Sequence, residues 1–272
     1  MLNRIELNEL SEAVIRLTQE ASQQILQIYQ QQAFSVTTKK DHSPLTEADL
    51  ASHRLLSHGL QQLTPQLPIL SEESTQLDYE VRKQWSRYWL VDPLDGTKEF
   101  IQRNDEFTVN VALIQDNKQV MGVVAVPCQQ TIYFAFAGGG AFKLEAGSAQ
   151  KIHTRRANLK QLSIVASRHH RDPRLGSIFK QFPQHQMVSM GSSLKFCAIA
   201  EGLADLYPRI GPTCEWDTGA AQCIVEEAGG KVLTTKGKPL LYNSKQELLN
   251  PDFLVVGDGS IPWAEYFISV QQ

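Results

Sequence analysis

Apolar residues recur at three- and four-residue intervals through Leu7, Leu10, Val14, Leu17, Ala21, Ile25 and Ile28, which predicts a long amphipathic helix at the start of the chain. Its tail, Gln23 to Gln32, is glutamine-rich. Ile25, Leu26, Ile28 and Tyr29 nevertheless keep the helical period, so this stretch reads as a solvated helix face rather than as low complexity. Thr37 to Thr46, with Lys39, Lys40 and Asp41, reads as a polar loop. A second helix follows through Leu50, Leu55, Leu56 and Leu60 and stops before Pro65. Thr46 with Asp49 three residues on resembles a capping box at its start.

Beyond Pro65 the pattern shortens to β-prone runs. Ile69-Leu70 and Tyr88 to Val91 predict short strands, each ending in acids. Phe107 to Ile114 and Val120 to Val126 predict a hairpin turned at Asp116-Asn117-Lys118, and Thr131 to Phe136 continues the meander. Gly138-Gly139-Gly140 is read as a turn, because no helix and no lysine follow at phosphate-loop spacing. The first half is thus expected to hold helices packed on an antiparallel sheet. Strand and helix then alternate: strand Leu162 to Ala166, helix Pro173 to Phe182, strand Gln186 to Met190, a helix opened by Gly191-Ser192-Ser193-Leu194-Lys195, and strand Ala204 to Ile210. A helix rich in small residues follows Asp217, then a strand pair within Lys231 to Val256 and a closing helix, Pro262 to Val270. The polar stretch Glu145 to Lys160 is the candidate seam. Residues 1–272 are expected to form one catalytic unit, 1–150 carrying the helix pair, the antiparallel sheet and metal-binding motifs, and 151–272 an α/β half with substrate-binding residues.

Composition narrows the function. The chain has 272 residues, 42% hydrophobic and 20% charged, as in ordinary globular proteins. A formal net charge of −3 argues against a broad surface for nucleic acid polymers, so an anionic ligand should be small and held locally. Cys128, Cys197, Cys214 and Cys223 show no metal-binding or disulfide spacing and are expected as reduced thiols. No stretch approaches the ~20 apolar residues of a membrane span, and Met1 to Leu10 lacks a secretory pattern. A cytoplasmic location is expected, with peripheral attachment to the inner membrane as the alternative.

The chemistry collects in acids. Asp92-Pro93-Leu94-Asp95-Gly96-Thr97 puts two carboxylates three residues apart around a proline, where a bend can turn both toward one cation. Glu72, after Ile69-Leu70, and Asp217, at the start of the small-residue helix, extend the set, with Asp49 near it in role. The plainer readings are helix capping for Asp49 and Asp217 and a solvated turn for Ser71-Glu72-Glu73. Oxygen-only donors favour Mg²⁺ or Mn²⁺ over zinc or copper, and a crowd of carboxylates needs such cations to stay ionised. Metal-assisted phosphoester hydrolysis fits this set. Ser192 and Ser193 at a helix start, with Lys195 one turn in, form an anion site by construction, the plainer reading of the motif alone being ordinary serine capping.

Asp92-Pro93-Leu94-Asp95-Gly96-Thr97, Trp216-Asp217-Thr218-Gly219-Ala220 and Ser71-Glu72-Glu73 together resemble the lithium-sensitive, Mg²⁺-dependent inositol monophosphatase family, in order along nearly the whole chain. Gly191-Ser192-Ser193-Leu194-Lys195-Phe196 and Leu206-Tyr207-Pro208-Arg209 are more similar to its bacterial CysQ type of 3′(2′),5′-bisphosphate nucleotidase. The resemblance implies an α/β fold of alternating helix and sheet layers, an αβαβα sandwich. It implies metal ligands at Glu72, Asp92, the Leu94 carbonyl, Asp95 and Asp217, and catalytic roles for Glu72, Thr97 and Asp49 around the attacking water. It also implies substrate-binding roles for Gly96, Thr97, Ser192, Ser193, Lys195 and Arg209. The implied cofactor is Mg²⁺, as two or three ions, with Mn²⁺ as a substitute and Li⁺ and Ca²⁺ as inhibitors. The implied reaction removes the 3′-phosphate of adenosine 3′,5′-bisphosphate in sulfur metabolism, by a monomer or homodimer. Glu215 before Trp216 departs from a family pattern in which a neutral residue is common. Competing readings are an inositol monophosphatase-like enzyme of broader range, and a non-catalytic phosphometabolite sensor, although no acid of the set is missing. A two-metal RNA nuclease is disfavoured by the net charge.

Overall fold

The computed structural model describes residues 2–39, 43–75, 77–167, 173–182 and 184–268. Its elements are α1 (Arg4–Tyr29), β1 (Val36–Thr38), β2 (Pro44–Thr46), α2 (Glu47–Leu63), β3 (Ile69–Ser71), α3 (Tyr79–Arg82), β4 (Arg87–Asp95) and α4 (Thr97–Gln102). The sheet then continues through β5 (Thr108–Gln115), β6 (Lys118–Val126), β7 (Thr131–Phe136), β8 (Gly140–Glu145) and β9 (Ser148–Ile152). The remainder comprises β10 (Ser163–Ala166), α5 (Pro173–Phe179), β11 (Gln186–Ser189), α6 (Leu194–Ala200), β12 (Leu206–Arg209), α7 (Gly219–Glu227), β13 (Lys231–Thr234), β14 (Phe253–Val256) and α8 (Glu265–Ile268).

These elements stack as the expected αβαβα layers. Successive side chains of the central strands of the seven-stranded sheet alternate between two buried cores, so both of its faces are covered. Val109, Val111 and Leu113 of β5 face the core under α1 and α2, while Ala112 and Ile114 face the core shared with α6 and α7. That middle core also takes Val165, Tyr207 and Val255 from the five-stranded sheet. The outer face of the second sheet packs Ile164, Leu206 and Leu254 with Leu175 and Ile178 of α5 and Phe267 of α8. The amphipathic first helix is capped as its sequence allows, Asn3 and Glu6 forming a capping box. The four cysteines form no disulfide. Among the described residues, no helix is long and apolar enough to cross a membrane.

Several boundaries differ from expectation for local reasons. The first sheet is mixed: β3 runs parallel to β4, and antiparallel pairing begins at β4–β5. The second sheet likewise joins parallel β11-β10-β12 to antiparallel β14-β13. Part of the polar loop is a hairpin, β1 pairing with β2 from Val36↔Thr46 to Thr38↔Pro44. Lys40 and Asp41, read with that loop, and the end of the closing helix lie outside the described residues. The helix read as Pro173 to Phe182 is regular only to Phe179. Strand β4 does not stop at the acids but runs through Asp95.

The small residues of α7 let it lie unusually close to the sheet. A Cβ built on Gly122 of β6 would sit 2.2 Å from the Ala220 carbonyl oxygen, and one on Gly219 would sit 2.8 Å from a methyl of Leu90. Gly122→Ala should therefore destabilise the fold by about 1–3 kcal/mol, because backbone cannot yield cheaply. Gly59→Ala in α2 would meet only the end of the Leu17 side chain and gains helix propensity, so it should be near neutral. Denaturant unfolding of the two variants checks the contrast.

Candidate active site

The site begins with an irregularity in β4. Asp92 pairs with Asn110 of β5 and Asp95 with Thr108, so three steps on one strand oppose two on the other. In a regular strand, residues i and i+3 point to opposite faces; one extra residue brings them to the same side. Pro93, which has no amide hydrogen to contribute to the ladder, occupies the bulge. The Asp92 carboxylate accepts the Leu94 amide at 3.1 Å, and Ser52 of α2 donates to the Pro93 carbonyl at 2.7 Å. Gly96 then turns the chain into α4 with φ 93°, a left-handed angle that favours glycine.

Asp49 does two jobs at once. One oxygen accepts the Thr46 amide at 2.8 Å and its hydroxyl at 2.5 Å, closing the capping box of α2. The other accepts the Thr97 hydroxyl at 3.1 Å. The capping reading is thus correct but incomplete, since the cap is also a neighbour of the bulge. Asp217 is not the N-cap of α7. Thr218 holds that position without a side-chain cap, and the Asp217 carboxylate accepts the Cys214 amide at 2.8 Å. Ser193 ties the two halves together: its hydroxyl lies 3.1 Å from the Asp95 carboxylate and 2.9 Å from the Asp217 carbonyl, and accepts the Asn110 amide at 3.0 Å.

The consequence is a concentration of negative charge. One carboxylate oxygen each from Glu72, Asp92 and Asp217 lies within 4.8 Å of the others. Asp92 is 1% exposed; burial first, then Glu72, Asp95 and Asp217, push its carboxyl well above the ordinary carboxylate range. Asp217 is pushed up by burial and by Asp95 and Glu72. Asp95 is raised by burial against the opposing pull of Lys195 and Ser193, and Asp49 by burial against its hydrogen bonds. Glu72 is raised to about 6 by burial, which outweighs Lys39. Such a cluster must hold protons or cations. Its oxygen-only donors, crowded within hydrogen-bonding reach of one point, fit a hard divalent cation.

Lys39 is the neighbour that sequence reading missed. Its ammonium lies 2.6 Å from Glu72 and 2.5 Å from Glu73, more than thirty positions away, and no local pattern signals such a pair. Burial acts to lower its pKa, and the two carboxylates more than reverse this. Glu215 turns away from the acids. It accepts the Asn243 amide at 2.7 Å and pairs with Lys245 at 3.6 Å beneath the site; burial raises it to about 7.

A cleft joins the acid wall to a donor wall. Asp95, Gly96 and Asp217 line it together with Ser192, Lys195 and Arg209. Ser192 holds φ 40°, and its buried hydroxyl has no hydrogen-bond partner among the described residues. A strained non-glycine turn presenting an orphan donor is a place where a ligand oxygen would be satisfied. Lys195 is 5% exposed and donates to the Ser192 carbonyl at 2.5 Å; burial pulls its pKa down to about 8 against Asp95, Glu99 and Glu106. Arg209 is braced by Thr213 and the Pro212 carbonyl at 2.5 and 2.6 Å.

Stacked helix and sheet layers whose strand ends converge on an oxygen-only cation site are the architecture of a metal-dependent phosphoric monoester hydrolase. More particularly, the chain belongs to the inositol monophosphatase family, whose sequence profile matches residues 6–258. It is 48% identical over 243 residues to the 3′(2′),5′-bisphosphate nucleotidase CysQ of Escherichia coli K12, covering 89% of this chain and 97% of that protein. The protein of the same name from Haemophilus influenzae is 38% identical over 266 residues, covering 97% and 98% of the two chains. The crystal structure of CysQ from Bacteroides thetaiotaomicron is similar, with a TM-score of 0.81 and 39% identity over 93% of this chain and 99% of that one. An inositol monophosphatase from Anabaena, 22% identical over 98% and 96% of the two chains, shares the fold with a TM-score of 0.77.

The raised carboxyls set a sign for stability. A carboxyl that binds its proton more tightly in the folded state stabilises the fold at low pH and loses that contribution as pH rises. Without metal, stability should therefore fall from about pH 4, where unfolded carboxylates ionise, through about 6, where folded Glu72 does. Mg²⁺ should recover much of the loss by binding the folded state alone. Thermal unfolding with chelator and with Mg²⁺ tests this, and Asp92→Asn should raise the metal-free Tm while abolishing the Mg²⁺ response. A Tm indifferent to Mg²⁺ at every pH would remove the cation site.

Proposed function

We propose that this chain is a Mg²⁺-dependent 3′(2′),5′-bisphosphate nucleotidase that converts adenosine 3′,5′-bisphosphate to AMP and phosphate, recycling nucleotide in sulfur metabolism. The observation that carries the reading is a single cleft lined both by carboxylates, Asp95 and Asp217, and by anion donors, Ser192, Lys195 and Arg209. A substrate with one phosphate needs only the first set, whereas a bisphosphate uses both. The names of the relatives at 48% and 38% identity point the same way.

In this reading Glu72, Asp92, Asp95 and Asp217, with the Leu94 carbonyl, hold the divalent cations. When bound, Mg²⁺ supplies charge that attracts phosphate oxygens and acidifies water. Two or three ions, replaceable by Mn²⁺ and antagonised by Li⁺ and Ca²⁺, belong to the same proposal. Thr97 spends its hydroxyl hydrogen on Asp49, which leaves its oxygen to accept from the attacking water. Buried Asp49 has a raised proton affinity and stabilises that orientation. Glu72 would serve as the second partner of that water. The amides at Gly96 and Thr97 receive the scissile phosphate, and in-line attack expels the ribose 3′ oxygen. Ser192, Lys195 and Arg209 hold the 5′-phosphate and sugar, with Ser193 keeping Asp95 in place. Residues 1–150 would contribute most of the acids and 151–272 the nucleotide donors of one cytoplasmic catalytic unit, acting as a monomer or homodimer.

Turnover of adenosine 3′,5′-bisphosphate and inositol 1-phosphate in Mg²⁺ decides the substrate class: a higher kcat/KM for the bisphosphate is expected, and equal or reversed preference defeats the reading. Asp95→Asn should lower kcat by roughly 100-fold or more while the protein still folds. Lys195→Ala should raise KM for the bisphosphate far more than for a monophosphate. The wild-type KM should itself climb as pH passes about 8, where Lys195 loses its proton.

A further inference from the structure

Glu106 lies between α4 and β5, on a turn in which Arg103 and Asp105 hold left-handed φ angles of 54° and 66°. Non-glycine residues keep such angles only when their surroundings enforce them. Here the end of α1 does so. Arg103 donates to the Tyr29 and Gln31 carbonyls at 2.5 Å each, and its guanidinium lies over the Tyr29 ring. The Tyr29 hydroxyl donates to Asp105 at 2.7 Å, and Asn104 accepts the Glu106 amide at 3.1 Å. The turn is therefore anchored from behind, away from the cleft.

From this anchor Glu106 touches both walls of the cleft without lining it. Its carbonyl oxygen would lie 3.2 Å from a Cβ on Gly96 and 2.8 Å from one on Gly191, so both glycines are pressed against the same peptide. Its side-chain Oε2 accepts the Gly191 amide at 2.7 Å. Gly96 begins the segment facing the acids; Gly191 begins the segment carrying Ser192 and leading to Lys195. The two segments also meet directly, since a Cβ on Gly96 would stand 3.3 Å from that of Ser192. We propose that Glu106 is a positioning residue: its backbone spaces the Gly96 turn from the Gly191 loop and its carboxylate locks that loop, so that the cleft selects substrates carrying two phosphates over those carrying one.

The proposal rests on the bisphosphate reading and adds a residue outside the motifs that support it. Gly191 adjoins the strained Ser192, so a loop released at its amide can relax that turn and withdraw the orphan hydroxyl. The Gly96 turn and the acids would keep their places, because β4 and α2 hold them through bonds that do not involve the loop. Binding of the second phosphate should suffer while the chemical step does not. The carboxylate of Glu106 also favours the charged form of Lys195, in the same direction.

Glu106→Ala, Glu106→Gln and Glu106→Asp, assayed with Mg²⁺ on adenosine 3′,5′-bisphosphate and on adenosine 3′-monophosphate, test the assignment. For Glu106→Ala, KM for the bisphosphate should rise about tenfold or more, with kcat within about threefold and KM for the monophosphate nearly unchanged. Glu106→Gln, which keeps an oxygen for the Gly191 amide, should recover most of the loss. Should the alanine variant not fold, Glu106→Asp carries the same reading, because its acceptor is one methylene short of Gly191 and its KM should shift as alanine's would. A fall in kcat on both substrates, an equal rise in both KM values, or a glutamine variant no better than its alanine or aspartate counterpart would overturn the proposal. Failure of the underlying reading is distinct: the wild-type protein itself would then show no preference for the bisphosphate.

Discussion

Several carboxylates share one small volume, and the rest of the structure follows from that constraint. Placing Glu72, Asp92, Asp95 and Asp217 together costs electrostatic free energy that neither packing nor hydrogen bonding removes. The fold supplies rigidity instead of neutrality. The bulge in β4, the Asx-type bond from Leu94 to Asp92 and the grip of Ser52 on Pro93 keep the acids from relaxing apart. Behind them, both sheets are buried on both faces, so the strand ends have little freedom to splay. A site assembled this way is costly when bare and strongly stabilised by cations, the physical basis of a metal-dependent hydrolase.

Much of this was legible in the chain because the relevant contacts are local. Asp92-Pro93-Leu94-Asp95 announces a kinked strand end, Thr46 with Asp49 announces a helix start, and the small residues after Asp217 announce close packing. Where reading and structure diverge, the deciding contact is one that the residue's own pattern does not announce. Strand β4 outruns the apolar run Tyr88 to Val91 because β5 supplies ladder partners for Arg87, Asp92 and Asp95. The Thr37 to Thr46 loop becomes partly a hairpin because its two ends pair with each other. Asp217 escapes its expected capping role because Thr218 takes the N-cap position and the Asp217 carboxylate accepts the Cys214 amide instead. Lys39, Asn110 and Glu106 reach the site from other elements, and nothing in their neighbours' sequence identifies them.

Glu215 shows the converse. It stands out in sequence beside Asp217, yet adjacent residues at a helix entry point in different directions. Its carboxylate is spent on the loop from Asn243 to Lys245, where Arg82 also donates to Asn243 at 2.6 Å. Proximity along the chain is a poor guide to membership of a site when the backbone is turning.

Asp92, Asp95 and Gly96 come from the end of β4 in the first sheet, whereas Ser192, Lys195 and Arg209 come from the second half of the chain, and the Ser193 hydroxyl and the Glu106 turn are among the contacts that bridge the two groups. Reactivity and recognition are consequently separable as inherited traits. Descendants of such a scaffold can exchange Ser192, Lys195 and the lip at Arg209, acquiring new clients while the bond-breaking half and its Ser193 tie stay intact. Mutational drift is then tolerated unequally: generous on one bank of the cleft, severe on the other, and most consequential at the few residues that span both.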